Sequence, residues 1–157
     1  MSTTRVQRHI AAPRQRVYAA ILDAGAVEQW MVPPGMQSEV HTFEPWEGGA
    51  FRVSLTYDAP DAQGKSTAHT DTYHGRFERL LPDEMVVQSV AFETDDPAMQ
   101  GEMTITYTLG DAAGGGTDLL AVHDDVPPGI APADNELGWR LSLDKLAALV
   151  ESPAPLT

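Results

Sequence analysis

The sequence predicts a single α+β domain: one strand, two short helices, an antiparallel sheet and a long C-terminal helix. Period-two alternation of apolar and polar side chains, near the N-terminus and again between about residues 39 and 122, is typical of half-buried strands. Near the C-terminus, apolar residues recur at helical spacing instead. The length of 157 residues suits one domain. We therefore expect residues 1–157 to form one unit with its core over 4–151.

The first strand and the two short helices are predicted over residues 5–31. Apolar and polar side chains alternate over 5–10. Pro13 suits a first helical turn because the N–H that it lacks would have no partner there, and this helix should end near Asp23. A second helix is expected over 24–31. Pro33-Pro34-Gly35 should end it.

The middle of the chain predicts about six short antiparallel strands. In the clearest of them, Phe51, Val53 and Leu55 share one face and alternate with polar residues. Gly48-Gly49, just before it, favours a hairpin turn. The other strands are predicted at 39–46, 69–80, 86–92, 102–109 and 117–123.

A helix about 26 Å long is predicted over 134–151, with Asp134 as its N-cap. One narrow stripe of this helix, which we expect to face the sheet, consists of Trp139, Leu143, Leu146 and Val150. Leu137, Leu141 and Ala148 lie on the opposite face. They are a candidate homodimer contact, and the alternative is that they are exposed apolar side chains without a function.

Composition narrows the classes of function. Cysteine is absent, which excludes disulfides, thiolate metal sites and cysteine nucleophiles. The formal charge of −13 has the wrong sign for binding phosphates or anionic lipid, so neither nucleic acid nor membrane is an expected partner. No apolar run is long enough for a membrane span or a signal peptide, and we expect a cytoplasmic protein. Arginine outnumbers lysine eight to two, which indicates a GC-rich bacterial genome.

The order of elements resembles the helix-grip fold of the START/Bet v 1-like (SRPBCC) superfamily. Within it, several segments are similar to the homologues of the activator of heat-shock-protein-90 ATPase: His9-Ile10-Ala11-Ala12-Pro13, Trp30-Met31-Val32-Pro33-Pro34-Gly35-Met36, Gly48-Gly49-Ala50-Phe51-Arg52, Tyr73-His74-Gly75-Arg76-Phe77, Gly116-Thr117 with His123, and Glu136-Leu137-Gly138-Trp139. The resemblance spans nearly the whole chain. It implies a curved sheet of about seven strands wrapped around the C-terminal helix, in a superfamily of lipid and hormone binders, polyketide cyclases and chaperone partners.

A sheet curved in this way would enclose a cavity for an apolar or aromatic small molecule, unless its inward side chains fill the space as a solid core. By alternation, the predicted ligand-binding residues on the strands are Phe51, Val53, Leu55, Tyr73, Phe77, Met103, Ile105, Tyr107, Leu119 and His123. The inward stripe of the C-terminal helix adds Trp139 and Leu143, and the segment around the second short helix adds Trp30 and Met36. Ala121 shares the inward face of its strand. Trp30, Met36 and Trp46 are expected nearest the entrance.

Three of the inward residues carry groups that could move a proton: His123, Tyr73 and Asp71. They would serve a cyclase-like or hydrolase-like enzyme, and the alternative is that they are hydrogen-bonded structural residues. His74 and Arg76 face the other way and should be solvated.

Metal and cofactor sites are not predicted. His69-x-Asp71 and His123-Asp124-Asp125 contain suitable ligand types but match no recognised metal spacing. The chain has no serine elbow, phosphate loop or dinucleotide fingerprint.

The sequence therefore favours small-molecule binding as the function. The family resemblance also implies a chaperone-associated partner role, which we rank lower because we find no separate N-terminal domain like that of the chaperone activator.

Overall fold

The computed structural model describes residues 2–33, 35–57 and 70–152. This part of the chain contains seven strands and three helices: β1 (Ser2–Ile10), α1 (Arg14–Ile21), α2 (Ala24–Trp30), β2 (Met36–Phe43), β3 (Ala50–Tyr57), β4 (Thr70–Leu81), β5 (Met85–Phe92), β6 (Met103–Asp111), β7 (Thr117–Val126) and α3 (Pro132–Glu151). The strands form one curved antiparallel sheet in the order β1-β7-β6-β5-β4-β3-β2. The predicted α+β helix-grip fold is confirmed.

The long helix α3 lies against β1, α1 and α2 and closes the concave side of the sheet. The predicted stripe is its buried face: Trp139, Leu143, Leu146 and Val150 are each 6% exposed or less. On the opposite face, Leu137 is 57% exposed, Leu141 is half-buried and Ala148 is exposed. A homodimer through that face stays a prediction.

Several predicted strand bounds were about three residues off: β1 begins at Ser2, β2 begins at Met36 and β7 ends at Val126.

Two further boundary errors have local causes. Asp134 is not the N-cap of α3: the cap is Ala131, and Pro132 takes the first helical position, for which its fixed φ is suited. Asp134 instead lies in the first turn, where its negative charge favours the helix N-terminus. Strand β2 ends at Phe43 rather than at residue 46 because the chain turns after it. The Trp46 N–H donates to the Glu44 carbonyl, and the Gly49 N–H donates to the Trp46 carbonyl.

The curvature of the sheet has identifiable local causes. The strand register shifts between Val40 and Thr42 and between Phe77 and Arg79, and such bulges bend a strand. At Gly75 the neighbouring strand comes so close that a Cβ would lie 1.8 Å from the carbonyl oxygen of Ser89. Glycine is therefore required at position 75, where β4 pairs closely with β5.

Two predicted features fall partly outside the described residues. Pro34 of the helix-ending segment and residue 69 of the fourth strand are not described. Among the residues that the structure describes, no helix is long and apolar enough to cross a membrane.

Candidate functional site

A cavity of about 520 Å³ lies between the concave face of the sheet and helices α2 and α3. The predicted ligand-binding residues in its wall are Trp30, Met36, Phe51, Val53, Leu55, Tyr73, Met103, Ile105, Tyr107, His123 and Trp139. Asp71 lines it too. The described inward side chains therefore do not fill this space as a solid core.

Phe77, Leu119 and Leu143, which were also predicted to bind ligand, lie in the packed core and not in the wall. Each is at most 1% exposed. The Phe77 ring packs against the rings of Phe43 and Phe51, with centroids 5.4 and 5.2 Å away. Alternation in the strands and helical spacing in α3 correctly assigned these side chains to the inward face, but neither pattern carries information on which end of the face is hollow.

The sequence analysis missed some wall residues on regular elements and in a loop. Gln88, Val90 and Phe92 of β5 line the cavity at period two, so alternation along β5 would have found them. Gly129, Ile130 and Ala131 come from the loop before α3. Its length and proline content are typical of a loop at the mouth of a site or of a long crossover, but no periodicity indicates which of its residues face the cavity. The remaining wall residues are Ile21, Val27, Met31, Pro33, Phe43, Tyr57, Asp134, Asn135, Gly138 and Ser142.

Solvent-exposed wall residues mark the mouth of the cavity. They are Pro33 after α2 and Gly129, Ala131 and Asp134 around the start of α3. The loop before α3 is held in place because the Gly129 N–H donates to the Ala98 carbonyl at 2.7 Å.

Two of the three residues expected at the entrance are elsewhere. Trp30 is 1% exposed, and its indole N–H donates to the Ala20 carbonyl, so it belongs to the buried end of the wall. Trp46 is 58% exposed in the β2–β3 hairpin and does not line the cavity. Met36 lines the cavity and is partly exposed. The prediction failed because the entrance is formed by helix ends and a loop whose placement depends on tertiary packing.

His123 is a buried wall residue with both ring nitrogens engaged. Its Nδ1 accepts from the Trp139 indole N–H and from the Asn135 amide, both at 3.1 Å. Two donors at Nδ1 require a lone pair there, so the proton of the neutral ring is on Nε2, 3.1 Å from Met103 Sδ. Burial lowers the pKa of His123 to about 4, against a smaller opposing effect of Asp124. The ring is therefore neutral at neutral pH and serves to orient Trp139.

The two inward phenols, Tyr73 and Tyr107, differ from His123 in having no hydrogen-bond partner among the described residues. The Tyr107 ring packs edge-on against Trp30 and Trp139, with centroids 6.2 and 5.8 Å away. Burial raises the pKa of both phenols, and for Tyr107 the neighbouring Tyr73 adds to the rise. Both hydroxyls therefore stay protonated and able to donate.

The histidine and aspartate residues weighed as metal ligands form no such group in the described part of the chain. Among the described residues, no three His, Asp or Glu side chains are grouped as metal ligands, and His69 lies outside that part of the chain. Asp124 is separated from His123 by strand alternation and accepts from the Thr3 hydroxyl at 2.8 Å.

The outer face of the sheet carries a polar network that includes an acid–histidine–serine row. His41 Nδ1 is 3.1 Å from the Glu39 carboxylate, and its Nε2 is 2.8 Å from Ser54 Oγ. Nucleophilic catalysis also needs N–H donors directed at an oxyanion. Strand β3 is paired on both edges, so the backbone donors around Ser54 are committed to the sheet. We interpret the row as a surface network.

His74 belongs to the same outer face, as predicted. It contacts Glu93, which also receives two hydrogen bonds from Arg52 at 2.8 and 2.9 Å. The Arg52 hydrogen bond is the main reason why the pKa of Glu93 is lowered, and His74 adds to it. Arg76 is exposed.

A curved antiparallel sheet, a long closing helix and a cavity between them define a helix-grip protein of the START/Bet v 1-like superfamily. The profile of the family described as "Activator of Hsp90 ATPase homolog 1-like protein" matches residues 11–151, and the chain belongs to this family.

Solved structures agree with this assignment. Protein CV1439 from Chromobacterium violaceum is 33% identical, with 96% of this chain and 97% of that chain covered and a TM-score of 0.84. The AHSA1-like protein from Aeromonas hydrophila is 16% identical, with 99% of both chains covered and a TM-score of 0.71. DynU16 from the dynemicin biosynthetic locus is 20% identical, with a TM-score of 0.67 over 99% of this chain and 49% of DynU16. The last two likenesses show the fold alone. A search of curated proteins finds no match.

Proposed function

We propose that this protein binds an apolar or aromatic small molecule in the cavity between the sheet and α3. The observation that carries the proposal is the wall itself: about 520 Å³ of space bounded mainly by aromatic and aliphatic side chains, with a few polar groups among them. Small-molecule sites in proteins are typically about 300–1,000 Å³ and have this composition.

The aromatic part of the wall favours a flat ligand. Trp139 and Tyr107 lie edge-on to each other, and Phe51 and Tyr73 form a second such pair with centroids 6.3 Å apart. Aromatic rings pack favourably against a third ring in offset or edge-on geometry. A planar ring system would extend either of these pairs.

Binding is favoured over a proton-transfer enzyme by the state of the candidate catalytic groups. His123 Nδ1 is occupied by two donors, and its low pKa makes it a weak base. Tyr73 and Tyr107 are suited to donate hydrogen bonds and not to accept protons. The cyclase-like or hydrolase-like alternative would leave Asp71 as the base. The chaperone-associated role stays a prediction, with stimulation of a chaperone ATPase as its assay.

A cavity-filling substitution tests the proposal. The neutral fluorescent probe N-phenyl-1-naphthylamine should bind the wild-type protein and report an apolar environment. Ile105→Trp places a large ring in the wall and should weaken probe binding at least tenfold, which is about 1.4 kcal/mol.

The matched control is Thr106→Trp, the neighbouring position of β6 on the outer face. It should bind the probe as the wild type does. Thermal unfolding of both variants verifies that each is folded. Equal probe binding by folded Ile105→Trp and Thr106→Trp would show that the probe site is not this cavity.

A further inference from the structure

Resting on the proposed small-molecule site, we propose that the cavity selects uncharged ligands that carry an oxygen acceptor, such as a ketone, and discriminates against carboxylates. The hydroxyl of Tyr73 or of Tyr107 would donate to that acceptor. The inference depends on two independent features of the wall, its unpartnered neutral donors and its charge.

The neutral donors come from three neighbouring strands. Tyr73 is on β4, Gln88 on β5 and Tyr107 on β6, and all three line the cavity. Within the described residues, none of the three side chains has a hydrogen-bond partner in the protein. A polar group that loses water without gaining a partner is destabilised, so an apolar ligand without an acceptor would leave these hydroxyls unsatisfied. A ligand oxygen removes that penalty.

The charge of the wall opposes an anion. None of the described residues that line the cavity is a lysine or an arginine, and two of them are aspartates, Asp71 and Asp134. His123 adds no positive charge at neutral pH, since burial keeps its pKa low. A ligand carboxylate would lose its hydration without gaining a cation from the wall residues that the structure describes.

Lys145 of α3 approaches the mouth of the cavity, but it does not change the conclusion that the wall disfavours an anion. Lys145 donates to the Val32 carbonyl at 2.5 Å and is not a wall residue. Over the whole chain, the formal charge of −13 adds a long-range repulsion of anions.

Three naphthalenes of similar size separate these effects: 2-acetylnaphthalene has a carbonyl acceptor, 2-ethylnaphthalene has none, and 2-naphthoate is an anion. Each would compete with N-phenyl-1-naphthylamine at pH 7.5. We expect 2-acetylnaphthalene to bind about fivefold more tightly than 2-ethylnaphthalene, as one net hydrogen bond would give. The naphthoate should bind most weakly of the three.

Removal of the donors should abolish the preference for the ketone. In Tyr73→Phe and Tyr107→Phe, the ratio of the affinities for 2-acetylnaphthalene and 2-ethylnaphthalene should fall toward one in at least one variant, while the affinity for 2-ethylnaphthalene is retained. The matched control is Tyr18→Phe, which removes a phenol outside the wall and should leave the ratio unchanged.

The outcomes distinguish this inference from the proposed function. If the probe and all three naphthalenes fail to bind, the small-molecule site itself is contradicted. If the naphthalenes bind but the naphthoate binds most tightly, the charge argument is wrong. If the ketone preference is absent, or persists in both phenylalanine variants, the tyrosines are not the selecting donors.

Discussion

His123 illustrates how a single buried residue can line a cavity and still be structural. Its position on the inward face of β7 follows from the alternation with Leu119 and Ala121, and the sequence predicted it. The hydrogen bonds to Trp139, Asn135 and Met103 that occupy its ring were not predictable, because they depend on how β7 pairs with β6 and on where α3 packs against it. The residue type was visible in the sequence, whereas its role depends on neighbours that are remote along the chain.

The state of His123 predicts a specific dependence of stability on pH. Its folded pKa of about 4 lies below the unfolded value near 6.5, so the unfolded chain binds the extra proton first. The free energy of unfolding should therefore fall by about 3 kcal/mol, from this residue alone, as the pH drops from 6.5 to 4.

His123→Gln provides the comparison because the glutamine carbonyl can still accept from Trp139. The difference in unfolding free energy between wild type and variant, measured by urea titration, should be larger at pH 7 than at pH 4 by that amount. A difference that does not change with pH would show that His123 titrates normally in the folded state.

At the scale of elements, the sequence predicted every strand and helix but not what bends the sheet. Strand β4 was recognised from its alternation, yet the close approach of β5 to Gly75 depends on the register between them. The cap of α3 was misplaced for a related reason: Asp134 has good capping chemistry, but Pro132 starts the helix two residues earlier. Local patterns determine the type of element, and contacts between elements determine its ends and its curvature.

Gly75→Ala should destabilise the protein by about 2 kcal/mol or more, because its Cβ would overlap the backbone of β5 at Ser89. Gly110→Ala in β6 is the matched control. Its Cβ would meet no atom within 4 Å, and the change should leave stability within about 1 kcal/mol of the wild type. Urea unfolding measures both. Equal stability of the two variants would contradict the close approach of β4 and β5.

At the scale of the whole molecule, the cavity is a consequence of three parts meeting: a bent sheet, a long helix and the loop before that helix. Inward side chains such as Val53, Ile105 and Trp139 were assigned correctly because strands and helices have fixed periods. The distinction between Tyr107 in the wall and Phe77 in the core was beyond periodicity. It depends on where α3 and the segment after α2 leave space above the sheet.

The most direct test of the central claim, that a small molecule binds in this cavity, uses the three tryptophans of the chain. Trp30 and Trp139 are in the wall, with their indole N–H groups bonded to Ala20 and His123, whereas Trp46 is exposed outside it. On titration of ¹⁵N-labelled protein with N-phenyl-1-naphthylamine, the two-dimensional NMR signals of the Trp30 and Trp139 indoles should shift saturably while that of Trp46 stays fixed. A saturable shift of Trp46 alone, or no saturable shift at all, would contradict the account.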